Sequence, residues 1–106
     1  MELHDSVIAI TGGSRGFGLA IARHLVAAGA RVGLLARSRA SLDAAIAELG
    51  GEQHALGIAV DVGDSTGVRE ALNTIRSKYG RFDALVNNAG LARPNAVESL
   101  VAAEVV

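Results

Sequence analysis

Thr11-Gly12-Gly13-Ser14-Arg15-Gly16-Phe17-Gly18 separates two runs of opposite character. Before it stands Val7-Ile8-Ala9-Ile10, which is continuously apolar. After it stands Leu19-Ala20-Ile21-Ala22-Arg23-His24-Leu25-Val26, which is amphipathic. The first reads as a buried strand, the second as a helix, and the stretch between as the glycine-rich turn that joins them. Glycines there let the backbone turn tightly and bring bare N–H groups close to a ligand. The helix start behind them turns its unsatisfied N–H groups and positive dipole end to the same spot, which favours a phosphate. Spacing narrows the choice. A G-x-G-x-x-G pattern fails, because Gly16-Phe17-Gly18 is followed by Leu19, Ala20 and Ile21. T-G-x-x-x-G-x-G fits, with Gly12, Gly16 and Gly18 in the glycine places. No Gly-Lys-Ser/Thr follows, so a Walker loop is excluded. Glycines alone also suit a purely structural strand-to-helix turn, and the rest of the chain has to decide.

Downstream, the helix is expected to run to about Ala28, with Gly29 as its stop signal and Leu19, Ala22, Leu25 and Val26 on its buried face. Arg31 to Ala36 reads as a strand covered on both faces. Ser38 and Ser41 are candidate caps for a helix over Leu42 to Leu49, closed by Gly50-Gly51. His54 to Val60 reads as a third strand with Asp61 at its carboxyl end. Ser65 to Tyr79 reads as a third helix ended by Gly80. Asp83 to Asn87 gives a fourth strand, followed by the loop Asn88-Ala89-Gly90. Pro94 then precedes a last helical pattern with Val97, Leu100, Val101 and Val105. Strands alternating with helices mean βαβ units, so the expected class is α/β. Its sheet is parallel and doubly wound, with right-handed crossovers and helices on both faces.

Composition agrees with this class and removes several functions. A chain of 106 residues fits one domain. Half its residues are hydrophobic but only 3% are aromatic, so its core must be aliphatic. Ten basic residues against eleven acidic ones leave a net charge of −1. That provides no global field for nucleic acid or an anionic membrane, and neither partner is expected. No stretch reaches the length of a membrane span. The short apolar run behind Glu2, His4 and Asp5 does not read as a signal peptide. Zero cysteines rule out disulfides and thiolate metal sites. His4, His24 and His54 are too scattered for a metal motif, so no metal is expected. The expected location is cytoplasmic.

In an open parallel sheet, ligands bind beyond the carboxyl ends of the strands. Four informative places fall there. The glycine turn is the first. The second is the end of the second strand, where an NAD site would put an acid on the ribose hydroxyls. Here Ala36 is followed by Arg37-Ser38-Arg39, with no carboxylate. An acid would repel a ribose 2′-phosphate, whereas a guanidinium pairs with it through charge-assisted bonds. Arg15 could reach the same phosphate from the other side. The third place is Asp61-Val62. Its carboxylate could accept from an adenine amino group while the valine packs on the ring, or it could satisfy backbone N–H groups at the start of the next helix. The fourth is Asn87-Asn88-Ala89-Gly90, whose amides can tie down backbone and whose small residues admit a flat ligand.

Thr11-Gly12-x-x-x-Gly16-x-Gly18, then Asp61-Val62, then Asn87-Asn88-Ala89-Gly90, resembles the short-chain dehydrogenase/reductase family over essentially the whole chain. The resemblance implies a Rossmann-type sheet in the order 3-2-1-4-5-6-7, of which this chain supplies the part 3-2-1-4. It implies that Gly12, Ser14, Arg15, Gly16, Phe17 and Gly18 line the cofactor pyrophosphate and nearby ribose. Arg37, with Ser38 beside it, stands one residue past the usual acidic position, where NADP-preferring members carry a base. Asp61 and Val62 would hold adenine. Asn88, Ala89 and Gly90 would pass beneath the adenosine ribose toward the nicotinamide, and Asn87 would brace the central strands. The cofactor implied is NADP, ahead of NAD.

The family's catalytic Ser and Tyr-x-x-x-Lys pair are not identifiable here. Tyr79 directly follows Lys78 within the third helix, in the wrong order and spacing. Glu104-Val105-Val106 also lies inside an apolar helical pattern without a stop signal, so residues 1–106 are expected to be an NAD(P)-binding domain cut before a catalytic half. In the complete protein the implied partners are a small-molecule carbonyl or alcohol substrate and further copies of the chain in a homo-oligomer. The competing expectation is a non-catalytic nucleotide-binding module, a sensor or partner-binding protein.

Overall fold

A computed structural model describes residues 2–88 of the chain. Strands and helices alternate through it: β1 (Val7–Thr11), α1 (Gly16–Ala27), β2 (Arg31–Ala36), α2 (Arg39–Glu48), β3 (Ala55–Ala59), α3 (Ser65–Tyr79) and β4 (Ala84–Val86). The strands form one parallel sheet in the order β3-β2-β1-β4. Ile8 lies beside Val32 on one side and Ala84 on the other, and Leu34 lies beside Gly57. The α/β fold with a 3-2-1-4 sheet is present as expected. Ala89, Gly90 and the last helical pattern around Val97, Leu100, Val101 and Val105 lie outside the described residues.

Alternation along the strands sends side chains to two cores. Ile8, Ile10, Val32 and Leu34 pack with Leu19 and Ala22 of α1 and with Leu42 and Ala45 of α2. Val7, Ala9 and Leu35 pack on the opposite face with Ala71 and Ile75 of α3. A sheet covered on both faces has no polar side, which is why its strands read as unbroken apolar runs. The second layer depends on Gly33. A Cβ there would lie 2.2 Å from Ile75 Cδ1, so the bare glycine is what lets Ile75 seat on the sheet.

Element ends depart from expectation where side chains intervene. α2 starts at Arg39 and not at Leu42, because Ser38 Oγ accepts from the Ser41 N–H at 3.1 Å and draws three more residues into the first turn. Ser38 is thus the cap, and Ser41 belongs to the helix. α3 runs over the expected Ser65–Tyr79, capped by Asp64, whose Oδ1 accepts from Gly67 N at 3.1 Å, and closed by Gly80 at φ +81°. α1 stops at Ala27, one residue early. β3 and β4 are each shorter than expected by one residue at both ends. At β4 the flanking side chains are otherwise employed: Asp83 Oδ2 accepts from Val7 N at 2.8 Å, and Asn87 Oδ1 accepts from Thr11 Oγ1 at 3.0 Å.

Candidate functional site

The turn after β1 is shaped by its glycines. Gly12 and Gly16 have φ of +65° and +59°, the left-handed region that side chains disfavour. Gly18 has a different reason. A Cβ on it would lie 2.1 Å from the Gly12 carbonyl oxygen and 2.6 Å from Asn88 Nδ2. The start of α1 therefore rests directly against the backbone of its own turn. The Asn88 amide donates to that same Gly12 oxygen at 3.1 Å, so residues 76 apart in the chain meet at one carbonyl. Asn87 makes the companion contact to Thr11. The glycine turn and the Asn-Asn loop are one assembly.

The helix caps show what this assembly leaves open. Side chains cap α2 and α3, but Arg15 at the N-cap of α1 makes no side-chain cap bond, and no acid stands in that helix's first turn. Among the described residues, the leading N–H groups of α1 thus have no side-chain partner at the positive end of the helix, and its first turn holds no carboxylate to repel an anion. Beside them opens a cleft of about 330 Å³. Of the predicted residues, Gly12, Ser14, Arg15, Arg37, Ser38 and Val62 line it. They come from the carboxyl ends of three different strands, where an open parallel sheet binds its ligands.

Two arginines of the cleft wall have side chains without a partner among the described residues. Arg15 and Arg37 are exposed, and their side chains make no hydrogen bond or ion pair with the described residues. Arg39 is engaged instead: its guanidinium bonds Asp43 and the Gly57 carbonyl. Asp61 stands outside the cleft wall, where its Oδ1 accepts from Gly63 N at 2.9 Å. This is the backbone-satisfying role that the sequence left open beside adenine binding. Gly16, Phe17 and Gly18 belong to the first turn of α1 beyond the wall, with Phe17 62% exposed. Ala89 and Gly90 lie outside the described residues.

Sequence reasoning missed Leu35, Ala36, Ser41 and Val60, which complete the wall. Val60 follows the last residue of β3, so its place in the wall depends on where that strand ends. The place of Ser41 likewise depends on where α2 begins.

Another cleft of about the same volume lies at the opposite ends of the strands, lined in part by His4, Asp5, Arg31 and His54. It has no helix N-terminus. It lies beside the C-terminal end of α1, the negative end of that helix, and its Arg31 is committed to Asp5 O and to the Tyr79 ring. Chemistry selects the first cleft for an anionic ligand where volume cannot. Among the described residues no group of three His, Asp or Glu could hold a metal ion, and no helix is long and apolar enough to cross a membrane.

A family model described as short chain dehydrogenase matches residues 6–106. The chain belongs to the short-chain dehydrogenase/reductase family. It is 43% identical over 95 residues to the 3-oxoacyl-acyl-carrier-protein reductase FabG of Vibrio harveyi, which covers 90% of this chain and 38% of that protein. Among solved structures it resembles L-sorbose reductase from Gluconobacter frateurii complexed with NADPH and L-sorbose. The TM-score is 0.73 and the identity 41%, over 85% of this chain and 36% of that one. A 3-ketoacyl-(acyl-carrier-protein) reductase from Brucella melitensis complexed with NADH matches with a TM-score of 0.75 and 31% identity, over 92% of this chain and 43% of that one. The chain spans 38% of the length of the curated short-chain dehydrogenase/reductase relatives that it matches over 90% or more of itself. Family membership makes it part of an oxidoreductase group whose matched members include both dehydrogenases and reductases.

Proposed function

We propose that this chain is the cofactor-binding part of an NADP(H)-dependent oxidoreductase that interconverts carbonyl and alcohol groups on a small molecule. The observation that carries the NADP(H) preference is the pair Arg15 and Arg37, two guanidiniums that, among the described residues, have no partner and share a cleft wall without a carboxylate. A ribose 2′-phosphate would pair with both, and a dinucleotide without that phosphate would leave both charges unmet by the ligand. The matched reductases hold NADPH in one structure and NADH in another, so the family supports a nicotinamide cofactor and the arginines support the phosphorylated one.

Each predicted residue has a role in this reading. Gly12 and Gly16 curve the backbone, Gly18 admits the helix start, and Ser14 with the free N–H groups of α1 receives the pyrophosphate. Phe17 lies beside the nearby ribose. Arg37, Ser38 and Arg15 take the 2′-phosphate. Val62 packs on adenine, and Asp61 uses Oδ2, the oxygen not bonded to Gly63, for the adenine amino group. Asn88 secures the turn at Gly12 and leads through Ala89 and Gly90 toward the nicotinamide. The bound cofactor supplies the hydride. This chain's contribution is to hold and orient it, and the proton-donating Tyr-x-x-x-Lys of the family belongs to a catalytic half in the complete protein.

The test is a calorimetric titration of the full-length protein with NADPH and NADH, with and without Arg37→Ala. The variant is expected to lose roughly 10- to 100-fold in NADPH affinity, the worth of about one or two charge-assisted hydrogen bonds partly exposed to solvent, with NADH little changed. Equal losses for the two cofactors would overturn the phosphate role of Arg37.

A further inference from the structure

Arg15 and Arg37 line the cleft, and a third arginine, two residues past Arg37, is set apart from them by its contacts. Arg39 is the first residue of α2, directly after the Arg37-Ser38 turn. Its Nε donates to Asp43 Oδ1 at 3.0 Å, one turn along the same helix. Nη1 donates to the Gly57 carbonyl of β3 at 3.1 Å. The rigid fork of the guanidinium therefore joins the start of α2 to the sheet, a geometry that an ammonium cannot reproduce. Gly57 is shaped to receive it, since a Cβ there would lie 2.9 Å from Arg39 Nη2 and 2.8 Å from Ile46 Cδ1.

We propose that Arg39 is a positioning residue for cofactor selection, holding Arg37 and Ser38 at the phosphate by tethering the first turn of α2 to β3; this rests on the NADP(H) reading above. The turn from Ala36 to Arg39 is short, so the place of Arg37 follows from where α2 begins. Ser38 bonds Ser41 within that same segment and cannot fix it to anything outside. Among the described residues Arg39 makes the side-chain hydrogen bond that does so, and its charge is met by Asp43. Release of the tether frees the turn and disperses the Arg37 guanidinium. A contact made only to the 2′-phosphate weakens as a result, and the pyrophosphate contacts at α1 remain.

The experiment measures NADPH and NADH affinities of the full-length protein in Arg39→Met, Asp43→Asn and Arg37→Ala, with thermal unfolding of each. Arg39→Met is expected to weaken NADPH by about 3- to 10-fold, as for loss of one ordinary hydrogen bond, and to leave NADH within error. Asp43→Asn, which keeps the Arg39 charge, should shift the NADPH to NADH ratio in the same direction and by less, because the Gly57 bond remains. Equal weakening of both cofactors by Arg39→Met would reduce Arg39 to a general stabiliser and overturn the proposal. Unchanged or tighter NADPH binding in Asp43→Asn would mean that Arg39 acts on the phosphate by its own charge, and would also overturn it. Arg37→Ala separates the two levels. An unchanged ratio there sinks the NADP(H) reading and the tether with it. A lost ratio there with an unchanged one in Arg39→Met sinks the tether alone.

Discussion

A methyl group on Gly18 would meet two fixed neighbours, the Gly12 carbonyl and the Asn88 amide, neither of which can move without disturbing the other. Gly18→Ala is therefore expected to push α1 off its turn, destabilise the fold by about 1–3 kcal/mol as overpacking does, and abolish cofactor binding as well. Gly16 differs. Its φ is +59°, but among the described residues nothing beyond its chain neighbours and its own helix backbone lies within 4 Å of where its Cβ would be. Gly16→Val should retain a folded chain, with a loss of about 1–2 kcal/mol for left-handed backbone, yet lose cofactor affinity because the added group fills space beside the free helix N-terminus. Thermal unfolding and NADPH titration of both variants check the contrast. A folded Gly16→Val that binds NADPH unchanged would show the turn to be structural only. The T-G-x-x-x-G-x-G spacing made both glycines legible in the sequence. What separated them was the approach of Asn88, and no local pattern announces a contact between residues 76 apart.

Between elements, the same limit explains which boundaries were readable. α3 was placed correctly because both of its signals are local: a polar start and a glycine that closes it in the left-handed region. α2 began early because its first turn, Arg39-Ala40-Ser41, carries no buried apolar residue and so has no periodicity to read. β4 was shortened by Asp83, whose side chain leaves the strand pattern to serve as a clamp. Asp83 Oδ2 accepts from Val7 N at 2.8 Å and from Arg81 Nε at 2.8 Å, and Oδ1 accepts from Arg81 Nη2 at 2.7 Å. The Asp83 N–H returns to Val7 O at 2.9 Å, so the starts of β1 and β4 are joined in both directions. The Arg81 guanidinium first, and the Val7 N–H with it, hold the Asp83 carboxyl below its ordinary value against the opposing effect of burial. A carboxyl lowered in the folded state adds stability above its unfolded pKa of about 3.9, and that share is lost as pH falls through the lower folded value. Asp83→Asn should therefore unfold at lower temperature than the parent at neutral pH, with the gap narrowing below about pH 4. Unfolding temperatures of the pair from neutral to acid pH measure it, and a gap constant throughout would remove the charge from the clamp.

Across the whole molecule the two edges of the sheet are not alike. At the β3 edge the Arg39 guanidinium occupies the Gly57 carbonyl, and a charge on an edge discourages further pairing. β4 pairs with β1 through Ala84, Leu85 and Val86, and no described strand lies on its other side. The alternation of strands and helices made the parallel sheet legible, but not which strands form its edges. That order came from the motifs and the family they resemble. In the family's 3-2-1-4-5-6-7 order the fourth strand is internal, with the fifth beside it. Without that fifth strand, β4 is, among the described residues, an open edge of unpaired N–H and C=O groups beside half-buried Leu85 and Val86. Covering one such aliphatic side chain contributes roughly 1.5–3 kcal/mol. Small domains have only about 5–15 kcal/mol in total. Two half-covered side chains and an unpaired ladder are thus a sizeable part of so small a total, and association with another chain is the direct way to recover it. The isolated 106-residue polypeptide is expected to sediment as dimers or larger species and to unfold over a broad range. A monodisperse monomer with a sharp cooperative transition would show that β4 needs nothing on its outer side.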